Sequence, residues 1–353
     1  MSRLKKFLLY TMTFMIIGTT CYKRDLRNFF LCAITIIIIC IISISFALYE
    51  NSGYCGAEGN EHNVRWELDD EGTLTISGKG KMASYVIKTD NWSGYKITHG
   101  NPEWNEDRND KIKRVIIEDG ITSIGRSAFA RCSHIEEIVI PDSVTDIENG
   151  AFCFCSSLMK VNIPESVTTL HCATFSGCVN LTTIVIPDSV QTIETLAFDG
   201  CTRLRNVTVP ESLTDFGGNP FKDTEFANKK MKKNELLIIN NIVIDGSKCT
   251  GDIVVPDGVT KIGNSAFDRF VDSNENLISV TLPDSVETIG KYAFAHCPNL
   301  ERINIPENLE TVEDYAFFQC IKLKDKLILP ESVEDIGDGV FTCTDLNFVT
   351  PIY

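Results

Sequence analysis

The sequence predicts a repeat solenoid of about ten coils with short parallel strands. A small β-rich module and, ahead of it, a membrane helix precede the coils. Three observations predict this. Phe129, Phe152, Phe175 and Phe198 recur every 23 residues, as do Cys132, Cys155, Cys178 and Cys201, and Pro141, Pro164, Pro187 and Pro210. Apolar residues alternate ahead of each proline, as in Val161-x-Ile163-Pro164. Residues 29–49 carry no charge at all.

The first 28 residues are a basic segment. Arg3, Lys5, Lys6, Lys23, Arg24 and Arg27 stand against one acid, Asp25. The uncharged run "FFLCAITIIIICIISISFALY" follows, and as a helix it spans about 31 Å, matching a hydrocarbon core of roughly 30 Å. The positive-inside rule puts residues 1–28 in the cytoplasm and everything after residue 49 outside. Two readings stand: a retained single-pass signal-anchor at 29–49, or a signal peptide cleaved after Ala47, where "SFA" offers small residues. Either way the remainder is exported, at the cell membrane or secreted.

Residues 50–111 form the β-rich capping module. "VRWELDDEGTLTISG" alternates Val64, Trp66 and Leu68, turns at 69–72, then continues with Leu74 and Ile76, a hairpin pattern. Its tryptophans, Trp66, Trp92 and Trp104, either cap the first coil or stack a sugar.

Residues 112–353 hold the coils. The unit reads P-[DE]-x-[VL]-x-x-I-x-x-x-A-F-x-x-C-x-x-L-x-x-[VI]-x-I, and returns at Pro256/Phe267, Pro283/Phe294/Cys297, Pro306/Phe317/Cys320 and Pro330/Phe341. Proline ends each strand by withholding a ladder donor. About eight inward side chains at roughly 1.5–3 kcal/mol each do not offset ordering a coil's residues at about 1.5 kcal/mol apiece. A lone coil is therefore unfolded, and stacking about 4.8 Å apart closes a shared core. Pro210 and Pro256 are two periods apart. Between them the spacing predicts a degenerate coil, with Leu236, Ile239, Ile253 and Val255 inward and "FANKKMKKNE" as a basic protruding turn.

The cluster "AFCFCSSLMKVNIPESVTTLHCATFSGC" resembles a zinc site at first sight. The period reads it differently. Cys155 and Cys178 share an inward column with Cys132, Cys201, Cys297 and Cys320, where a free thiol acts as a small hydrophobe. Side chains stacked in one direction offer poor disulfide geometry. His171 takes a turn position that is Gly or Glu elsewhere, and only Cys153, Cys172, Cys249 and Cys343 stand off the column. No metal and no cofactor are expected.

The stretch "IPDSVTDIENGAFCFCSSLMKVNIPESV" resembles the BspA-like, treponemal-type leucine-rich repeats, over roughly residues 112–351. "NNIVIDGSKCTGDIVVPDGVTKIGNSAF" is similar to that family's longer variant coil. The resemblance implies a curved leucine-rich repeat solenoid at a cell surface, with adhesion or host-protein binding. Glu118 replaces the first proline, and Phe341-x-Cys343 is one residue short of the pattern.

Charge and motifs narrow the function. Beyond residue 49 the chain holds 27 bases against 47 acids. So acidic a surface repels phosphate backbones and excludes nucleic acid as a partner. His62, His99, His134, His171 and His296 lie in no catalytic motif, and no G-x-S-x-G, H-E-x-x-H or phosphate-binding glycine loop occurs. An enzyme is not expected. Asn91, Asn180 and Asn206 fit glycosylation acceptors, which matter only in a host that glycosylates. The candidate binding face is the outward strand strip: Glu137, Val139, Lys160, Asn162, Thr183, Val185, Asn206, Thr208, Ser279, Thr281, Arg302 and Asn304. Its expected partner is an extracellular host or matrix protein, or a surface glycan. The alternatives are a merely solvated face on a structural spacer, or a spacer presenting the N-terminal module.

Overall fold

A computed structural model describes residues 37, 51–85, 102, 104, 109–232, 234–268, 277–323, 327–344 and 350–351. The expected cytoplasmic segment 1–28, the expected membrane helix 29–49 apart from Ile37, and Asn91, Trp92 and His99 lie outside the described residues. Among the described residues no helix is long and apolar enough to cross a membrane. Two compact units are distinguished. One is Met1–Gly53 with Glu67–Asp69, and the other, Tyr54–Trp66 with Asp70–Tyr353, carries the solenoid.

Each regular coil contributes two short strands rather than the single strand its proline marks. One precedes the proline: Arg114–Ile117, Glu137–Val139 and Lys160–Val161 pair in parallel, with Val115 beside Ile138 and Ile138 beside Val161. The other lies in the V-x-x-I part: Thr169–Leu170, Thr192–Ile193 and Asp215–Phe216 pair in parallel. Partners in these coils are 23 residues apart, so each position faces its equivalent on the neighbouring coil.

The turn carrying Ala-Phe forms a third ladder without being a strand. Two left-handed residues bracket it, for example Ala173 (φ 54°) and Gly177 (φ 74°). The backbone N–H groups of Ala173, Phe175 and Gly177 then donate to the carbonyls of Thr195, Ala197 and Asp199 on the next coil. No backbone polar group in this turn needs water. The phenylalanines stack inside, Phe129 to Phe152 at 5.6 Å and Phe152 to Phe175 at 5.4 Å between ring centres. Trp104 begins the column, stacked on Phe129 at 5.7 Å, with its indole N–H donating to the Ala128 carbonyl.

About nine turns with a period of about 23 are present. Between Phe221 and Pro256 the chain departs from the regular coil. "FANKK" is not a protruding turn. Thr224 caps a helix, Glu225–Lys230, by accepting the Ala227 N–H, and buries Phe226 and Ala227. Ile239 is buried as expected, but on a strand outside the parallel ladders. Leu237–Ile239 turns back antiparallel on Ile242–Asp245, and Val243 becomes the parallel partner of Ile262. The reason is local: Asn240 (φ 48°) and Asn241 (φ 63°) are both left-handed, as a two-residue type I′ hairpin requires. Ile253 and Val255 are buried as expected.

Candidate binding face

The outward strip emerges as the alternation predicts. Val139, Lys160, Asn162, Thr183, Val185, Asn206, Thr208, Thr281, Arg302 and Asn304 are exposed, and Glu137 and Ser279 are half-buried. Each points away from an inward neighbour such as Ile138, Ile184 or Val280, because successive strand side chains take opposite sides.

Two of the strip's three asparagines turn out to be structural. Asn162 accepts the Ile140 N–H at 3.0 Å and donates to the Ile140 carbonyl at 2.7 Å. Asn304 does the same to Leu282, at 2.7 and 2.8 Å. Where the equivalent residue is threonine, the backbone makes the bond instead, as from the Ile186 N–H to the Thr208 carbonyl at 3.0 Å. A side-chain amide thus replaces a peptide group in the ladder, and those two residues are poor candidates for ligand contact. Arg302 is paired with Asp252 at 3.4 Å, and Glu137 with Arg114 at 3.3 Å.

One part of the strip differs from the rest. Glu137, Val139, Met159, Lys160, Val161, Thr183, Val185 and Pro187 help line an open concavity of about 700 Å³. Val185 is 60% exposed and Met159 50%, so its floor is apolar. Met159 was missed in the sequence because it precedes the strand, at a position taken by Glu136 and Thr182 in neighbouring coils.

The cysteine column does more than fill space. Beyond Cys132, each thiol of the column donates to a phenylalanine carbonyl of the preceding coil, as Cys155 to Phe129 at 3.1 Å, Cys178 to Phe152 at 3.3 Å and Cys320 to Phe294 at 3.0 Å. Burial pushes the Cys132 thiol up to about 12, and Cys155 and Cys178 well above the ordinary value. Thiols so hard to ionise are poor nucleophiles and poor metal ligands. Off the column, Cys153 is also pushed up, to about 11, by burial. His171 sits between Asp146 (Nε2, 3.2 Å) and Glu194 (Nδ1, 3.1 Å) of the flanking coils. Among the described residues, no group of three or more His, Cys, Asp or Glu is arranged to hold a metal ion. Trp66 and Trp104 are 1% and 0% exposed and touch edge to face, so neither of these two rings is open to a sugar.

Coils of parallel strands around stacked phenylalanines, repeating every 23 residues, define a leucine-rich repeat protein. The model described as "BspA type Leucine rich repeat region" matches in six copies, over residues 107–227, 168–272 and 269–351. The chain belongs to that family. Among solved structures it is similar to a leucine-rich repeat protein from Bacteroides ovatus, with 21% identity, 80% of this chain and 91% of that one covered, and a TM-score of 0.33. It is also similar to a leucine rich cell surface protein from Faecalibacterium prausnitzii (23%, covering 84% and 95%, TM-score 0.35). A third similar structure is the pneumococcal vaccine antigen PcpA (20%, covering 81% and 78%, TM-score 0.35). No curated protein matches the chain.

Proposed function

We propose that this leucine-rich repeat chain is an exported binding module, not a catalyst, that takes an extracellular protein on the strand face of its first coils. The observation that carries the reading is the apolar floor of Val139, Met159 and Val185 in the open concavity. An apolar centre within a polar rim, here Glu137, Lys160 and Glu165, is the anatomy of a protein-binding patch. Display outside the cell, held by residues 29–49, follows from the basic flank and the uncharged run.

Two measurements test this. Protease added to intact cells expressing the full chain is expected to remove the repeats, and full protection overturns the export. Binding to a panel of immobilised matrix proteins is then compared between the parent and Val139→Ser/Met159→Ser/Val185→Ser. The triple variant is expected to lose binding at least tenfold with unchanged thermal unfolding. Lys160→Ala alone weakens it by about 1 kcal/mol or less, as a rim charge does. Normal binding by the triple variant moves the site elsewhere and leaves this face as a spacer.

A further inference from the structure

The coil after Phe221 departs from its neighbours in charge as well as in shape. Residues 222–233 hold Lys222, Lys229, Lys230, Lys232 and Lys233 against only Asp223 and Glu225, in a chain of net charge −15. Phe226 and Ala227 hold the helix Glu225–Lys230 to the core, and Lys229, Lys230 and Lys232 are exposed. The Phe226 N–H donates to the Leu204 carbonyl at 2.7 Å, which sets the exposed Arg205 alongside the helix. Arg205 and Lys229 both act on Glu225 and hold its carboxyl below the usual range, with the hydrogen bond from Lys229 the largest cause. Lys230 lies over the Phe226 ring at 4.7 Å. Glu235 accepts from the backbone N–H of Lys232 at 2.9 Å.

Lysines in a last helical turn ordinarily answer the helix dipole. A six-residue helix has little dipole to answer, and both Arg205 and Lys232 lie outside it. Coils on either side are acidic, with exposed Glu211 and Asp215 before the helix and Asp252 and Asp257 after it. Those carboxylates repel a broad anionic surface such as a membrane or a rigid duplex, which covers neighbouring coils, more than they repel a narrow chain that meets the helix alone. Tyr54 and Phe154 are the strongly exposed aromatic rings among the described residues, and neither lies in this stretch, so stacked bases find no platform. The apolar centre that a protein interface needs is likewise replaced by lysine stems.

We propose that Arg205, Lys229, Lys230 and Lys232 form a docking surface for a sulfated polysaccharide, separate from the strand-face concavity. Ammonium and guanidinium donors on long stems suit sulfate oxygens, and the attraction is screened by salt.

Binding of the full chain to fluorescent heparin oligosaccharides tests this. Expected is retention at low salt that falls as salt rises, and little retention of desulfated heparin. Lys229→Gln/Lys230→Gln/Lys232→Gln is expected to weaken binding at least tenfold with unchanged thermal unfolding, and Glu substitutions at the same positions to weaken it further. The strand-face triple variant is expected to keep heparin binding, which separates failure of this surface from failure of the other. The proposal is overturned by absence of heparin binding at low salt or by a Gln variant that binds as the parent does. Tighter binding to duplex DNA, polyglutamate or phosphatidylserine vesicles than to heparin also overturns it.

Discussion

From Phe129 to Phe221 the molecule is periodic; from Lys222 to Val255 it is not, and the two stretches are held together by different means. In the first, each ring stacks on the next, Phe175 on Phe198 at 5.4 Å and Phe198 on Phe221 at 5.5 Å, within 9° of parallel. In the second, Phe221 meets Phe226 edge-on at 64°, and a new stack begins at Phe267, on Phe294 at 4.9 Å. Side chains bridge the interruption where the ladder does not. Asn240 donates to the Pro210 and Leu213 carbonyls at 2.8 and 2.9 Å, and Asn264 to the Phe216 carbonyl at 3.1 Å. Gly246 lies against the Phe267 ring, where a Cβ would meet it at 2.4 Å. Repetition lets one backbone pattern satisfy every coil; once it lapses, individual residues must cap carbonyls one at a time.

The comparison can be broken at its strongest point first. Phe175→Ala is expected to cost about 3–5 kcal/mol by opening a cavity between two stacked rings. Urea unfolding measures this, and a loss below about 1 kcal/mol contradicts a stack that carries the periodic stretch. In the interruption, Asn240→Ala is expected to cost on the order of 2 kcal/mol, from two lost hydrogen bonds and a left-handed position that alanine disfavours. Hydrogen exchange in this variant should rise first in residues 222–255, and uniform exchange along the chain speaks against a separate weak link.

The buried column thiols make the periodic coils sensitive to pH. Cys132 is raised to about 12, and Cys155, Cys178 and Cys320 well above 9.0, all by burial. A raised thiol contributes stability that is full below the unfolded value near 9 and falls as pH rises toward the folded value. The expected loss at pH 10 is on the order of 1 kcal/mol for each of these four thiols, since the unfolded chain ionises first. Thermal unfolding between pH 8 and 10 measures it. Replacing Cys155 and Cys178 with alanine should flatten the slope, and an unchanged slope removes the thiols as its cause.

How legible each feature was depends on the range of its cause. The phenylalanine and cysteine columns are read directly, because inward position follows from count alone. The helix at Glu225–Lys230 is legible too, in Thr224 followed by Glu225 and closing on Lys229–Lys230, a local capping pattern that competes with the 23-residue count. The same holds for Ile239-Asn-Asn-Ile242, a hairpin signal two residues long. The candidate binding face was half legible. Alternation told which residues point outward, while Met159, outside the strand, entered the concavity only through the neighbouring coils.

What the sequence by itself determined is the period, the inward set and the outward set, since strand alternation and coil length belong to the chain. Only the tertiary structure decided which outward residues remain available. Asn162 and Thr208 occupy equivalent places on their coils, yet Asn162 gives its amide to Ile140 while Thr208 offers its carbonyl to Ile186 and keeps its side chain exposed. That difference lies in hydrogen bonds to a residue 22 positions away, across the stack, where one-dimensional spacing carries no information about which polar group completes the ladder.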